Sequence, residues 1–137
     1  MTVHIVKLSV GTESVEDLAR WQASRRATNK HTSGRDEIFH TTRMIPKRRD
    51  EILDGGSIFW VIKGVIQARQ TIVGLRDATR EDGTRCCQIL LDPELKLVRP
   101  TPRRAFQGWR YLDPDDAPGD LGGHETAALE GMPASMR

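Results

Sequence analysis

Residues 55–75 read GGSIFWVIKGVIQARQTIVGL, from Gly55 to Leu75, and the fold turns on how this stretch is read. It is rich in β-branched and aromatic residues and is punctuated by Gly55, Gly56, Gly64 and Gly74. That pattern predicts an antiparallel hairpin, with Lys63-Gly64 as a two-residue turn. In the simplest register Ile62 faces Val65, Val61 faces Ile66, Trp60 faces Gln67, Phe59 faces Ala68 and Ile58 faces Arg69. Alternate residues share a face. One face then carries Phe59, Val61, Ile66 and Ala68 and reads as core. The other carries Ile58, Trp60, Ile62, Val65, Gln67 and Arg69. A tryptophan beside an amide and a guanidinium can stack a base and hydrogen-bond its edge. Equally, Trp60 can pack beneath a helix while Arg69 pairs with a carboxylate at the rim.

Working upstream, Pro46 to Leu53 (PKRRDEIL) predicts a short helix, opened by proline and closed by Gly55 in a left-handed cap. Lys47, Arg48 and Arg49 then crowd its first turn, where the helix dipole disfavours cations. A cost at an exposed site invites a functional reason. Glu37 to Met44 (EIFHTTRM) has strand character, and Thr28 to Asp36 (TNKHTSGRD) reads as a polar loop. Thr12 to Ala27 predicts a helix capped by Ser14, with Asp17 three residues on. Val15, Leu18, Ala19 and Trp21 to Gln22 supply its apolar stripe. Val3 to Val10 alternates and reads as a strand ended by Gly11.

Downstream, Arg76 to Arg85 is a charged turn region around Asp82-Gly83. Cys86 to Leu91 reads as a strand with one buried and one outward thiol. Leu95 to Arg99 is a shorter strand stopped by Pro100 and Pro102. Arg103 to Leu112 (RRAFQGWRYL) places three of the chain's seven aromatics in a basic segment. From Asp113 onward no core-forming period remains, with a weak helical tendency at His124 to Glu130. The order β-α-β-α-β-β-β-β predicts an α+β fold: a small, strongly bent antiparallel sheet or pseudobarrel with two short helices.

The 137 residues suit one domain, able to bury a core without metal or disulfide staples. Residues 1–112 hold 20 Lys and Arg against 13 Asp and Glu, a balance of +7, whereas residues 113–137 hold one against six, a balance of −5. The expected organisation is therefore a basic domain over 1–112 and an acidic, flexible tail over 113–137, either solvated or folded back on the basic surface. No apolar run approaches a membrane span, and Met1 to Val10 does not form a secretory signal, so a cytoplasmic protein without a membrane partner is expected.

Catalytic and metal chemistry finds little support. His4, His31, His40 and His124 show no metal-ligand spacing, and Cys86-Cys87 is not a CxxC pair, so no metal and no cofactor is expected. There is no G-x-S-x-G sequence and no phosphate-binding glycine loop. The positive features are basic groups interleaved with aromatics. Arg43, Lys47, Arg48 and Arg49 surround the second helix, and Arg103, Arg104 and Arg110 sit with Phe106, Trp109 and Tyr111. Such sets hold phosphates and stack bases; they are also compatible with a solvated basic face over a core closed by Trp109 and Tyr111.

Two resemblances rest on these residues. The run TTRMIPKRRDEILDGGSIFWVIKGVIQARQTIVGL resembles the layout of PUA-like domains of the ASCH and EVE type, in which a short helix ends at glycine and leads into barrel strands. That resemblance implies a pseudobarrel that binds RNA or modified bases. The Lys/Thr/Glu set of ASCH amidohydrolases has no residue-by-residue match here, so no catalytic residue is carried over. The phrases MIPKRRDEILDGGSIFWVIKGVIQARQ, LDPEL and RRAFQGWRYL resemble an uncharacterised bacterial family, the domain of unknown function 1489, over about residues 1 to 118. The expected function is RNA or modified-base binding, with Arg43, Lys47, Arg48, Arg49, Arg103, Arg104 and Arg110 on phosphates and Trp60, Gln67, Arg69 and Trp109 near a base. The alternatives are a small hydrolase of a modified nucleoside, in which only His40, Cys86 or Cys87 could move a proton or attack, and a protein-interaction module using the acidic tail.

Overall fold

A computed structural model describes residues 1–121. Strands β1 (His4–Leu8), β2 (Ile38–Thr42), β3 (Ser57–Ile62), β4 (Val65–Thr79), β5 (Arg85–Leu91), β6 (Lys96–Pro102) and β7 (Trp109–Leu112) form one mixed sheet with two helices, α1 (Val15–Ser33) and α2 (Arg49–Leu53). The strand order is β2-β5-β4-β3-β1-β7, with β6 pairing to β4 off that path. The sheet does not close on itself. All its pairings are antiparallel except β1 with β3, which is parallel. An α+β fold is therefore found, but the sheet is mixed and open, and α1, at 19 residues, is not short.

The hairpin forms at the expected turn. Lys63 (φ 52°) and Gly64 (φ 77°) both take the left-handed conformation that a tight two-residue turn demands. Ile62 pairs with Val65 and Val61 with Ile66. One residue later the register shifts, so that Trp60 pairs with Ala68 and Phe59 with Arg69. Gln67 is the extra residue, and the β4–β6 ladder shifts at the same place. Its amide folds back to donate to the Ile62 carbonyl at 3.0 Å. A bulge of one residue exchanges the faces of everything after it. Ala68 accordingly joins Ile58, Trp60 and Ile62 in the main core, while Phe59, Val61 and Ile66 form a second cluster on the opposite face.

Each face has its own cover. The main core is closed by Val15 and Leu18 of α1, Ile52 of α2, and Ile38, Ile89 and Leu91 of the β2–β5 pair. The second cluster, with Val6, Val98 and Leu112, is closed by Phe106 and Ala117. Residues 113–121, at the start of the acidic stretch, lie against the sheet. Arg99 N donates to Gly119 O and Leu121 N to Leu97 O, and Asp120 bridges to Val98. The rest of the expected tail (113–137), residues 122–137 with the helical tendency at 124–130, lies outside the described residues.

Helix α1 begins as read, with Ser14 Oγ accepting from Asp17 N at 3.1 Å and Asp17 accepting in return from Glu13 N. It runs past Ala27 to Ser33 and ends at Gly34 (φ 76°), so the expected loop 28–36 is mostly helix. That last part shows no apolar period because polar bonds hold it. Asn29 donates to Glu37 O, Ser33 to Asn29 O, and Arg26 makes a two-pronged pair with Asp36. Helix α2 is shorter than expected, starting at Arg49 rather than Pro46. Of the three cations expected in its first turn, Lys47 lies outside the helix, while Arg48 is its N-cap and Arg49 its first residue; Asp50 and Glu51 beside them suit the dipole, and each arginine is paired with a carboxylate. Gly56 has no room for a side chain: a Cβ there would fall inside contact distance of the Ile52 and Val3 carbonyl oxygens.

Candidate functional site

The register of β1 against its two neighbours places three side chains on one rung of the main-core face. Lys7 pairs with Trp60 of β3 on one side and with Trp109 of β7 on the other. Trp60 and Trp109 are buried, at 4% and 3% exposure. Each indole N–H has a fixed partner: Trp60 Nε1 donates to Gln70 Oε1 at 2.8 Å, and Trp109 Nε1 to the Met44 carbonyl at 2.8 Å. Gln70 is itself locked by a head-to-tail amide pair with Gln22 of α1, at 2.8 and 2.7 Å, and donates also to Asp92 O. The helix is thus joined to the sheet by a fully satisfied buried polar network, which orients the Trp60 ring.

Around that rung lies a cleft of about 360 Å³, lined by Lys7 to Thr12, Leu18 and Trp21 of α1, His40 of β2, and Trp60. Its volume falls at the lower end of small-ligand sites. His40 meets the Trp60 ring edge-on, with centroids 5.8 Å apart and planes at 87°. Burial, and secondarily the Lys7 charge, push the His40 pKa down to about 4. His40 is therefore a neutral imidazole near pH 7, with one ring nitrogen donating and the other accepting. Burial also lowers the pKa of Lys7. Trp21 stands at the cleft mouth, 52% exposed, with the Arg25 guanidinium 5.7 Å from its ring centroid. The Ser9 and Thr12 hydroxyls bond each other at 2.7 Å, which ties down the β1–α1 turn along one rim.

The sequence-derived site residues are only partly brought together. Trp60 forms a wall of the cleft, but Arg69 lies on the opposite face of the sheet, because the bulge at Gln67 reverses it. There Arg69 makes a two-pronged pair with Asp120, at 2.6 and 2.8 Å, and donates to Ser57 Oγ. Gln67 lines a separate shallow depression with Ser14, Leu97, Val98 and Pro100. Trp60, Gln67 and Arg69 therefore do not share a wall.

Among the cations, Arg48 pairs with Glu51, and Arg49 with Asp77 and the Leu75 carbonyl. The two basic segments do meet: the Tyr111 hydroxyl accepts from the backbone N–H of both Lys47 and Arg48, and Arg48 stacks over the Tyr111 ring at 5.3 Å. Arg103 and Arg110 both lie over Phe106 at 5.4 Å. Arg43, Lys47 and Arg104 are exposed. Trp109 closes the core rather than standing free.

Lys7 and Trp21 escaped the sequence reading as site residues. Trp21 was placed within the helix stripe, yet the buried positions Val15, Leu18 and Gln22 define that stripe and leave Trp21 on its flank. A large aromatic one position off a helix's buried line is the available signal. Cys86 and Cys87 are both buried, contrary to the expected outward thiol, and neither lines the cleft. Among the described residues no group of three His, Cys, Asp or Glu side chains could hold a metal, and no helix is long and apolar enough to cross a membrane.

A family model described as "Protein of unknown function (DUF1489)" matches residues 5–137. No curated protein and no solved structure matches the chain.

Proposed function

The chain belongs to that DUF1489 family, whose description assigns no activity, and we propose that this member binds RNA by stacking one base on Trp21 in the cleft, over a floor to which the buried Trp60 contributes. The observation that carries this reading is the pairing of a half-exposed tryptophan with a locked one around a concavity of nucleoside size. Base–aromatic stacking is worth about 1–3 kcal/mol per base. The exposed cations Arg43, Lys47 and Arg104, which form no salt bridge among the described residues, serve as phosphate contacts along the flanking surface, in a domain whose net charge over 1–112 is +7. An α+β fold in which α1 packs on the main-core face of the sheet is compatible with a PUA-like assignment.

A second reading, hydrolysis of a modified nucleoside, is favoured by the partly buried, titratable His40 in the same concavity. It is the weaker of the two. A base with a pKa of about 4 has little driving force to take a proton at neutral pH, and no carboxylate or thiol lines the cleft to act with it. The protein-interaction reading rests mainly on residues 122–137, outside the described structure.

The test is titration of a mixed-sequence single-stranded RNA of about ten nucleotides against the full chain and its Trp21→Ala variant, at low and moderate salt. The variant should bind about ten- to a hundredfold more weakly, the equivalent of one lost stack. Its thermal midpoint should hardly move, because Trp21 is half exposed. Binding by the parent should weaken with salt, at about 0.7 log units per decade for each phosphate contacted. Equal affinity of the two proteins would remove Trp21, and with it the cleft, from the binding site.

A further inference from the structure

The hydrogen-bonding inventory of the cleft is lopsided. Lys7 brings an ammonium with three donors and no acceptor. It is partly buried, set between two tryptophans, and has no acidic partner or side-chain hydrogen bond among the described residues. Neutral His40 adds one donor and one acceptor. The Ser9 and Thr12 hydroxyls are engaged with each other, and Thr12 also donates to the Ser9 carbonyl. No Asp, Glu, Asn or Gln side chain lines the cleft. Side-chain donors therefore outnumber acceptors, and a half-buried cation without a partner is a costly arrangement that a ligand acceptor would relieve.

Bases differ in this respect. Uracil and guanine turn keto oxygens outward as acceptors, whereas cytosine and adenine present an exocyclic amino group at the corresponding position. An amino group aimed at Lys7 would set donor against donor and leave both unpaired.

We infer that the cleft reads the base edge carrying uracil O4 or guanine O6 and so selects uracil or guanine over cytosine and adenine, which carry an amino group at that position, with Lys7 as the specificity-determining residue. This rests on the base-binding reading above and adds which edge of the base is read. Trp21 supplies sequence-tolerant stacking above the buried Trp60, and Lys7 supplies the choice.

Uracil and cytosine are the cleanest comparison, since oligomers of equal length carry equal phosphate charge. An eight-nucleotide oligo(U) and oligo(C) are titrated against the full chain and its Lys7→Met and Lys7→Gln variants, with folding checked by circular dichroism. Oligo(U) should bind the parent about tenfold or more tightly than oligo(C), within the range of one good base-edge contact. Both variants should bring the ratio close to one. Equal binding of the two oligomers by the parent would overturn the selectivity while leaving the stacking cleft standing. A ratio retained in both variants would overturn the role of Lys7. If neither oligomer binds, the base-binding reading fails and the selectivity falls with it.

Discussion

Trp60→Ala should destabilise the domain by about 3–5 kcal/mol, the range for removing a buried large aromatic. The corresponding fall in thermal midpoint is on the order of 10–20 °C. Three losses combine. The indole leaves the main core, where it packs with Ile58, Ile62 and Ala68. Its N–H bond to Gln70 Oε1 disappears. His40 loses the ring it meets edge-on. Trp60→Phe separates the terms, since it keeps most of the apolar volume and removes the hydrogen bond, and should cost about 1–2 kcal/mol. Urea unfolding of the two variants against the parent measures both. A loss below about 1 kcal/mol for the alanine variant would mean that Trp60 does not close the core and that the wall of the cleft is not fixed.

Acidification should weaken the fold well above the pH at which carboxylates titrate. The folded-state pKa of His40 lies at about 4, below the 6.5 of an unperturbed histidine. Between those values the unfolded chain binds a proton that the folded chain refuses. Stability attributable to His40 is therefore complete above pH 6.5 and falls as the pH drops towards 4. The slope approaches about 1.4 kcal/mol per pH unit, and the total about 3 kcal/mol. His4 contributes in the same direction: burial first, and then the Arg69 charge, lower its pKa. The carboxylates held low by arginine partners, such as Glu37 by Arg76 and Asp120 by Arg69, lose their share only at lower pH. Unfolding free energies at pH 7 and pH 5 should thus differ clearly in the parent and much less in His40→Phe. An identical pH dependence in the two proteins would contradict a partly buried His40 held neutral by the fold.

The hairpin turn, the Ser14 cap and most strand positions could be read from residues 3–112 because each depends on local chemistry. Glycine at a left-handed position, an oxygen aimed at an orphan N–H, and β-branched alternation are properties of neighbours in sequence. The bulge at Gln67 is not of that kind. It is set where β4 pairs on both sides, and both ladders shift there together. One unseen residue was enough to move Arg69 to the far face and Ala68 into the main core. The C-terminal part of α1 was obscured for a different reason: its stability comes from Asn29, Ser33 and Arg26 reaching residues beyond the helix or one turn back. None of the clustered cations lines the candidate cleft. Arg48 pairs with Glu51 three residues on, a partner that helix spacing offers, whereas Arg49 pairs with Asp77, twenty-eight residues away, which local sequence does not signal. The cleft residues Lys7, Trp21, His40 and Trp60 come from four separate elements, brought together by the parallel β1–β3 pairing, the seating of α1 and the path β2-β5-β4-β3 through the sheet.

The most direct test of the base-binding cleft is to follow the three indole N–H resonances and the backbone amides by NMR as an oligo(U) is added. The expected result is saturable shifts of the Trp21 and Trp60 indoles and of the Lys7 to Thr12 amides, with His40 moving in step. Shifts confined to Lys47–Arg49 and Arg103–Arg110, with Trp21 and Trp60 unmoved at saturation, would contradict it.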